Sequence, residues 1–277
     1  MNSRHASSLL VFLAALCAST AVAGDAYLVR FNGVKRIQPC TSVSFRETAL
    51  LYNQGASPAT VRVLGISNPP SATGVDTFTL PPGQVVDLDV ALNGGWFPLP
   101  ASSEYSLWTL HLDIPEGVRV ESRDEVYGDD ICLDRPQPTS LGRVSMPIFT
   151  SLTPANTPQV HLGTDLGSRA TRTNVGVYNA SSSPATAHVE LRRACDDVVE
   201  DQRTFLVAPN TTVQVGALQG GINDICTVGS TASWIRYTVI TVDQPSLTFV
   251  SNVTEETTHF DGVAPRIDLG VSHNTQF

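Results

Sequence analysis

Apolar and polar residues alternate along this chain in short bursts, and turn-forming residues separate the bursts. Val86, Leu88 and Val90 alternate with Asp87 and Asp89; Trp108, Leu110, Leu112 and Ile114 alternate with Thr109, His111 and Asp113; Ala187, Val189 and Leu191 alternate with His188 and Glu190. A period of two sets one face of a strand against a core and the other in water. The breaks are Asn68-Pro69-Pro70, Pro81-Pro82-Gly83, Asn93-Gly94-Gly95 and Pro115-Glu116-Gly117, residue types that turn a chain. The pattern predicts strands over 27–31, 42–52, 59–64, 77–80, 86–90, 108–114 and 118–121. Short strands at that spacing are what a β-sandwich of about 100 residues requires. Further on it predicts strands over 144–149, 171–178, 187–191, 205–209, 213–215, 233–242 and 247–251, with a loop over 153–167.

One stretch occurs twice. Tyr52-Asn53-Gln54-Gly55-Ala56-Ser57-Pro58-Ala59-Thr60 returns as Tyr178-Asn179-Ala180-Ser181-Ser182-Ser183-Pro184-Ala185-Thr186. It reads as strand, turn, strand: Asn closes one strand, a small polar loop follows, and Pro opens the next strand, where its missing N–H is tolerated. Two later blocks recur in the same order. Residues 205–209, with Val213 and Val215, match 78–82, with Val86 and Leu88; Leu247, Phe249 and Ser251 match Val118, Val120 and Ser122. The spacing is too long for a solenoid, so tandem domains are expected: 1–23 as a leader, 24–142 and 143–277 as two sandwiches, with the Pro-containing run 134–140 between them.

The leader reading rests on Arg4 and His5, an apolar run over 9–16 and the small-x-small site Ala21-Val22-Ala23, with Gly24 opening the mature chain. The apolar run is too short to span a bilayer, and no later apolar span follows, so no transmembrane anchor is expected. Cys17 falls in the leader. Cys40, Cys132, Cys195 and Cys226 remain. An even count in an exported chain reads as two disulfides with three possible pairings. One bridge per half, Cys40–Cys132 and Cys195–Cys226, is favoured. Pairing across the halves is the alternative, because the cysteines do not stand at equivalent places in the repeat. No C-x-x-C pair points to zinc.

Charge excludes more than it identifies. A net charge of -9 with no Lys/Arg run argues against sequence-independent nucleic-acid binding. The acidic pairs Asp124-Glu125, Asp129-Asp130 and Asp196-Asp197 read as solvated turns, without the D-x-D-x-D-G spacing of a calcium loop. His5, His111, His161, His188, His259 and His273 are scattered, with His111 and His188 on the solvent faces of strands. No G-x-S-x-G elbow or phosphate-cradling Gly loop occurs. No catalytic residue, metal ligand or cofactor is therefore assigned, although carboxylates that meet only in space could still serve a hydrolase. Trp96 and Phe97, in a Gly-flanked loop, are the surface aromatics that could bind a sugar, whereas Trp108 keeps register with Leu110 and Leu112 and reads as core. The tail alternation at Ile267, Leu269, Val271, His273, Thr275 and Phe277 reads as an edge strand or a frayed tail.

The blocks Asn174-Val175-Gly176-Val177-Tyr178-Asn179, Ser183-Pro184-Ala185-Thr186 and 205–209, with their counterparts Tyr52-Asn53, Ser57-Pro58-Ala59-Thr60 and 78–82, resemble the tandem immunoglobulin-like β-sandwich repeats of secreted bacterial proteins. That resemblance implies a spacer, an adhesive module or a surface protein, and transfers no catalytic residue. The expectation is an all-β, exported, non-enzymatic structural or protein-interaction module of the periplasm or extracellular space. Its partner would be an unidentified protein or glycan of the cell envelope, with a carbohydrate-binding sandwich as the alternative.

Overall fold

The computed structural model describes residues 24–38, 41–67, 77–88, 106–130, 139–146, 148–162, 170–218, 226–228, 231–233, 236–255 and 267–273. All the elements there are β-strands, and all their pairings are antiparallel, as the alternation predicts. The first nine are β1 (Gly24–Gln38), β2 (Thr41–Asn53), β3 (Ala59–Ile66), β4 (Thr77–Leu80), β5 (Val85–Asp87), β6 (Ser106–Ile114), β7 (Val118–Asp130), β8 (Thr139–Ser145) and β9 (Ile148–Phe149). β1 bridges two layers. Its first part, Gly24 to Asn32, pairs with β6, and from Gly33 onward it pairs with β2. One layer therefore runs β4-β3-β6-β1, and the other has β2, β7 and β8 in order, with β5 also on β2. Leu28, Leu51, Val61, Leu80, Leu110 and Val118, drawn from both layers, close the core between them. Trp108 lies in that core, as its register predicts, with the Arg30 guanidinium 4.8 Å from its ring centroid.

The second sandwich comprises β10 (Gln159–Leu162), β11 (Ala170–Asn179), β12 (Ala185–Arg193), β13 (Val199–Val207), β14 (Thr211–Leu218), a small hairpin of β15 (Cys226–Val228) and β16 (Thr231–Ser233), then β17 (Arg236–Val242), β18 (Ser246–Glu255) and β19 (Ile267–His273). Its layers run β10-β17-β12-β13 and β14-β11-β18-β19. Strand for strand this repeats the first sandwich. Leaving the β15–β16 hairpin aside, in both the second strand pairs with the fifth and the third with the sixth. In both, the first strand lies beside the sixth and the seventh beside the second. The edge strand expected at the tail is β19, paired with β18.

Several sequence expectations change. The strand expected to open the second unit belongs to the first: β8 pairs with β7, and β9 with β1. The predicted loop over 153–167 contains β10, which alternation misses because its pattern is inverted. Gln159 and His161 are buried there, while Val160 is 42% exposed. The third block of the repeat is also out of register by one residue. Tyr52 pairs with Arg119, and Tyr178 with Leu247. The counterparts of Leu247 and Phe249 are therefore Arg119 and Glu121, not Val118 and Val120. A one-residue slip moves every side chain to the other face of a sheet, so the apolar stripe of β18 is the outward one.

His161 occupies the place that Leu28 holds in the first sandwich, opposite Thr238 where Leu28 opposes Leu110. Thr248 likewise stands where Val120 does, and His161 Nε2 lies 2.7 Å from Thr248 Oγ1. A buried polar pair costs most when one member is removed alone. Urea unfolding is expected to show His161→Ala losing about 1–3 kcal/mol. The double change His161→Leu/Thr248→Val, which copies the first sandwich, should fall within about 1 kcal/mol of native or above it.

Candidate functional site

The most specific sequence signal, the duplicated turn, is built the same way twice. Asn53 is buried at the end of β2. Its Nδ2 donates to the carbonyls of Ser57 (2.8 Å) and Leu80 (2.9 Å), and its Oδ1 accepts from the Gly55 N–H (2.8 Å). Asn179 Nδ2 donates to Ser183 O (2.8 Å), Val207 O (3.2 Å) and Ala208 O (3.1 Å), and its Oδ1 accepts from Ser181 N (3.0 Å). Each Asn closes its own loop and ties it to the end of a strand in the opposite layer. The motif is architectural, as its turn chemistry predicts.

The two sandwiches meet through outward faces. Phe249 is fully buried against Val29, Leu107 and Met146, which is worth roughly 1.5–3 kcal/mol of burial. Its ring lies over Gly176, its ladder partner, where a Cβ would come within 1.9 Å of the ring. Tyr178 packs with Tyr27 and Leu247, with the two tyrosine rings 6.4 Å apart. Tyr27 stacks on His111 at 4.2 Å, and His111 Nε2 lies 2.8 Å from Asp25 Oδ1. Thr212 Oγ1 meets Thr109 Oγ1 at 2.8 Å and also hydrogen-bonds Ser67 Oγ. Sequence reading missed this junction because its residues sit on strand faces that alternation assigns to solvent.

Burial pushes the Tyr178 phenol up to about 12, with Tyr27 as a smaller cause; its O–H donates to Asn210 Oδ1 at 3.0 Å. A phenol raised in the folded state contributes stability that is whole below its ordinary value near 10 and is lost as pH rises through the raised one. A spectrophotometric titration is expected to show a late tyrosine that vanishes in Tyr178→Phe, with the chain losing stability between about pH 10 and 12.

The other candidates divide clearly. Trp96, Phe97, Cys40, Cys132, His5, His259 and the leader 1–23 lie outside the described residues. Cys195 is disulfide-bonded, and Cys226 lies in β15 opposite Ser233. Asp124, Glu125, Asp129 and Asp130 are not turn residues but part of β7, which is paired on both sides. Asp196 and Asp197 do lie in a turn, and arginines engage them. Arg193 Nη2 lies 2.7 Å from Asp196, and Arg192 Nη1 lies 2.8 Å from Asp197. Hydrogen bonds from Arg193, and from Tyr237 and Arg192, hold the two carboxyls below their usual range. Arg236 and Glu200 form a buried ion pair across β17 and β13. Among the described residues no three His, Cys, Asp or Glu side chains converge as metal ligands, and no helix is long and apolar enough to cross a membrane.

β13 ends its layer among the described residues, as β10 does on the other side and as β14 and β19 do in the facing layer. Leu206 on β13 is 74% exposed, and Val198 and Val199 at its other end are 45% and 40% exposed. No protein-family model matches this sequence, and no curated protein is significantly similar to it.

Proposed function

We propose that this chain is an exported, non-enzymatic module that joins two immunoglobulin-like sandwiches into one stiff body and recognises a protein of the cell envelope or extracellular space. The observation that carries the reading is the β13 edge, to which no further strand is paired among the described residues, with their most exposed large apolar side chain, Leu206, standing on it. An open edge offers backbone N–H and C=O groups to an incoming strand, and side chains beside it select the partner. Among the described residues the perturbed titrations are phenols raised by burial or a hydrogen bond, carboxyls lowered by Tyr237 and by arginines, and an arginine strengthened by its acids. General acid–base catalysis relies on the opposite sense, such as a raised carboxyl. Export is supported by the leader pattern and by the disulfide at Cys195, a bond that persists in oxidising compartments, with Cys226 as its proposed partner.

The test is capture from a cell-envelope extract on immobilised, oxidised protein, run beside Leu206→Lys. A protein retained by the native chain and lost with the variant is expected. Retention that ignores the variant, or none at all, refutes recognition at this edge.

A further inference from the structure

The outward face of β10 and β17 is the second sandwich's copy of the surface that the first sandwich gives to the junction. Val160 stands where Tyr27 does, and its ladder partner Val239 stands where His111 does. Tyr237 likewise takes the place of Thr109. In the first sandwich that surface is covered: Tyr27 is 5% exposed beside Tyr178 and Leu247, and Thr109 meets Thr212. In the second, Val160 is 42% exposed. We infer that this face docks a β-sandwich domain of another protein, one that offers an outward apolar stripe of the kind Tyr178 and Leu247 offer to the first sandwich. The inference goes beyond the β13 edge and does not depend on it.

The face is inverted for a strand in water. A half-buried strand turns its apolar residues to the core and its polar ones to solvent, yet β10 buries Gln159 and His161 and leaves Val160 outside. β18 shows what such an inversion means in this chain. It turns Thr248 inward, where His161 bonds it, and Leu247 and Phe249 outward, and the first sandwich covers that stripe. The two reversed strands thus share a polar contact inside the sandwich, but only β18 has its apolar outer face covered. The centre of the β10–β17 face is also less polar than its counterpart. Where the first sandwich has His111 2.8 Å from Asp25, the second has Val239. A second copy of this chain does not supply the stripe, because the matching places on its first sandwich hold Arg119 and Glu121, which would have to lose water against valines.

The repeat also supplies a probe. The full chain with Leu50→Gly, Arg119→Leu and Glu121→Phe carries the stripe on its first sandwich. Leu50 is changed because it is the ladder partner of Glu121, as Gly176 is of Phe249. Val160→Arg in the same probe stops it docking on itself. Sedimentation velocity of the oxidised probe mixed with the native chain is expected to show a one-to-one complex. Against a receiver carrying Val160→Arg the complex should weaken about tenfold or more, since the new charge must be stripped of water. Should the triple change fail to fold, Arg119→Leu in its place sets a leucine beside Tyr52, as Leu247 stands beside Tyr178. That milder probe should bind the native chain more weakly, with the same dependence on Val160. A native chain that binds neither probe, or binding that ignores Val160→Arg in the receiver, overturns the inference. Such a failure leaves recognition at the β13 edge standing, because that is read separately from Leu206→Lys.

Discussion

Gly176→Ala is expected to lower stability by about 3 kcal/mol, or roughly 10 °C in melting temperature for a body of this size. The added methyl would fall 1.9 Å from the Phe249 ring, in a site where the ring is fully buried. Neither side can yield easily. Gly176 is mid-ladder in β11, bonded to β14 on one side and β18 on the other, and Phe249 is held by Val29, Leu107 and Met146 of the first sandwich and its exit. Phe249→Ala alone should cost about 3–5 kcal/mol. The double variant should cost little more than Phe249→Ala, since the methyl then occupies space the ring has left. Thermal unfolding of the four forms measures that coupling. Additive losses, or a Gly176→Ala protein that melts like the native one, would show that the ring is not seated on the glycine.

The second large effect is expected at the duplicated asparagines. Asn179→Ala leaves the carbonyls of Ser183, Val207 and Ala208 without their side-chain donor. At about 1–3 kcal/mol for each group left unsatisfied and dry, a total near 3–4 kcal/mol is expected after water reaches the outer ones. Asn53→Ala should cost somewhat less, because it abandons two carbonyls. Asn179→Asp keeps the shape but aims a carboxylate at carbonyl oxygens, and so should be worse than alanine at neutral pH. Its sign with pH is fixed. Burial and the facing oxygens raise the folded-state value of the new carboxyl, so the deficit is smallest below the unfolded value near 4 and grows as pH rises through the raised one. Urea denaturation of Asn179→Asp across that range would check it. A deficit that shrinks on going from acid to neutral would refute the donor role.

These two sites mark what the sequence makes legible. The asparagine turn could be read directly because its chemistry is local: one side chain satisfies groups two and four residues along, and the Pro that follows starts a strand. The core was legible wherever one strand face is wet, as for Ala187 and Val189 with His188 in water between them. Legibility failed where both faces are dry or the pattern is reversed. In β18, Leu247 and Phe249 form an apolar stripe that invites alignment with Val118 and Val120, yet the inward residues are Thr248 and Val250. Alternation shows that a strand has two faces but cannot say which is the core when a second sandwich covers the other. β10 failed for the complementary reason: its buried side chains are Gln159 and His161, whose satisfaction depends on partners far along the chain, such as Thr248.

The junction also has a direction. The second sandwich offers Leu247 and Phe249 to its neighbour, whereas the corresponding places on the first hold Arg119 and Glu121, with Arg123 3.8 Å from Glu121. A further sandwich set against the first in the same manner would have to strip water from those charges and find no apolar stripe in return. Stacking by this contact therefore ends at the first sandwich, whose outer face acts as a polar cap of the kind that terminates solenoid arrays. Grafting Leu and Phe onto positions 119 and 121 would remove the cap and leave an adhesive end.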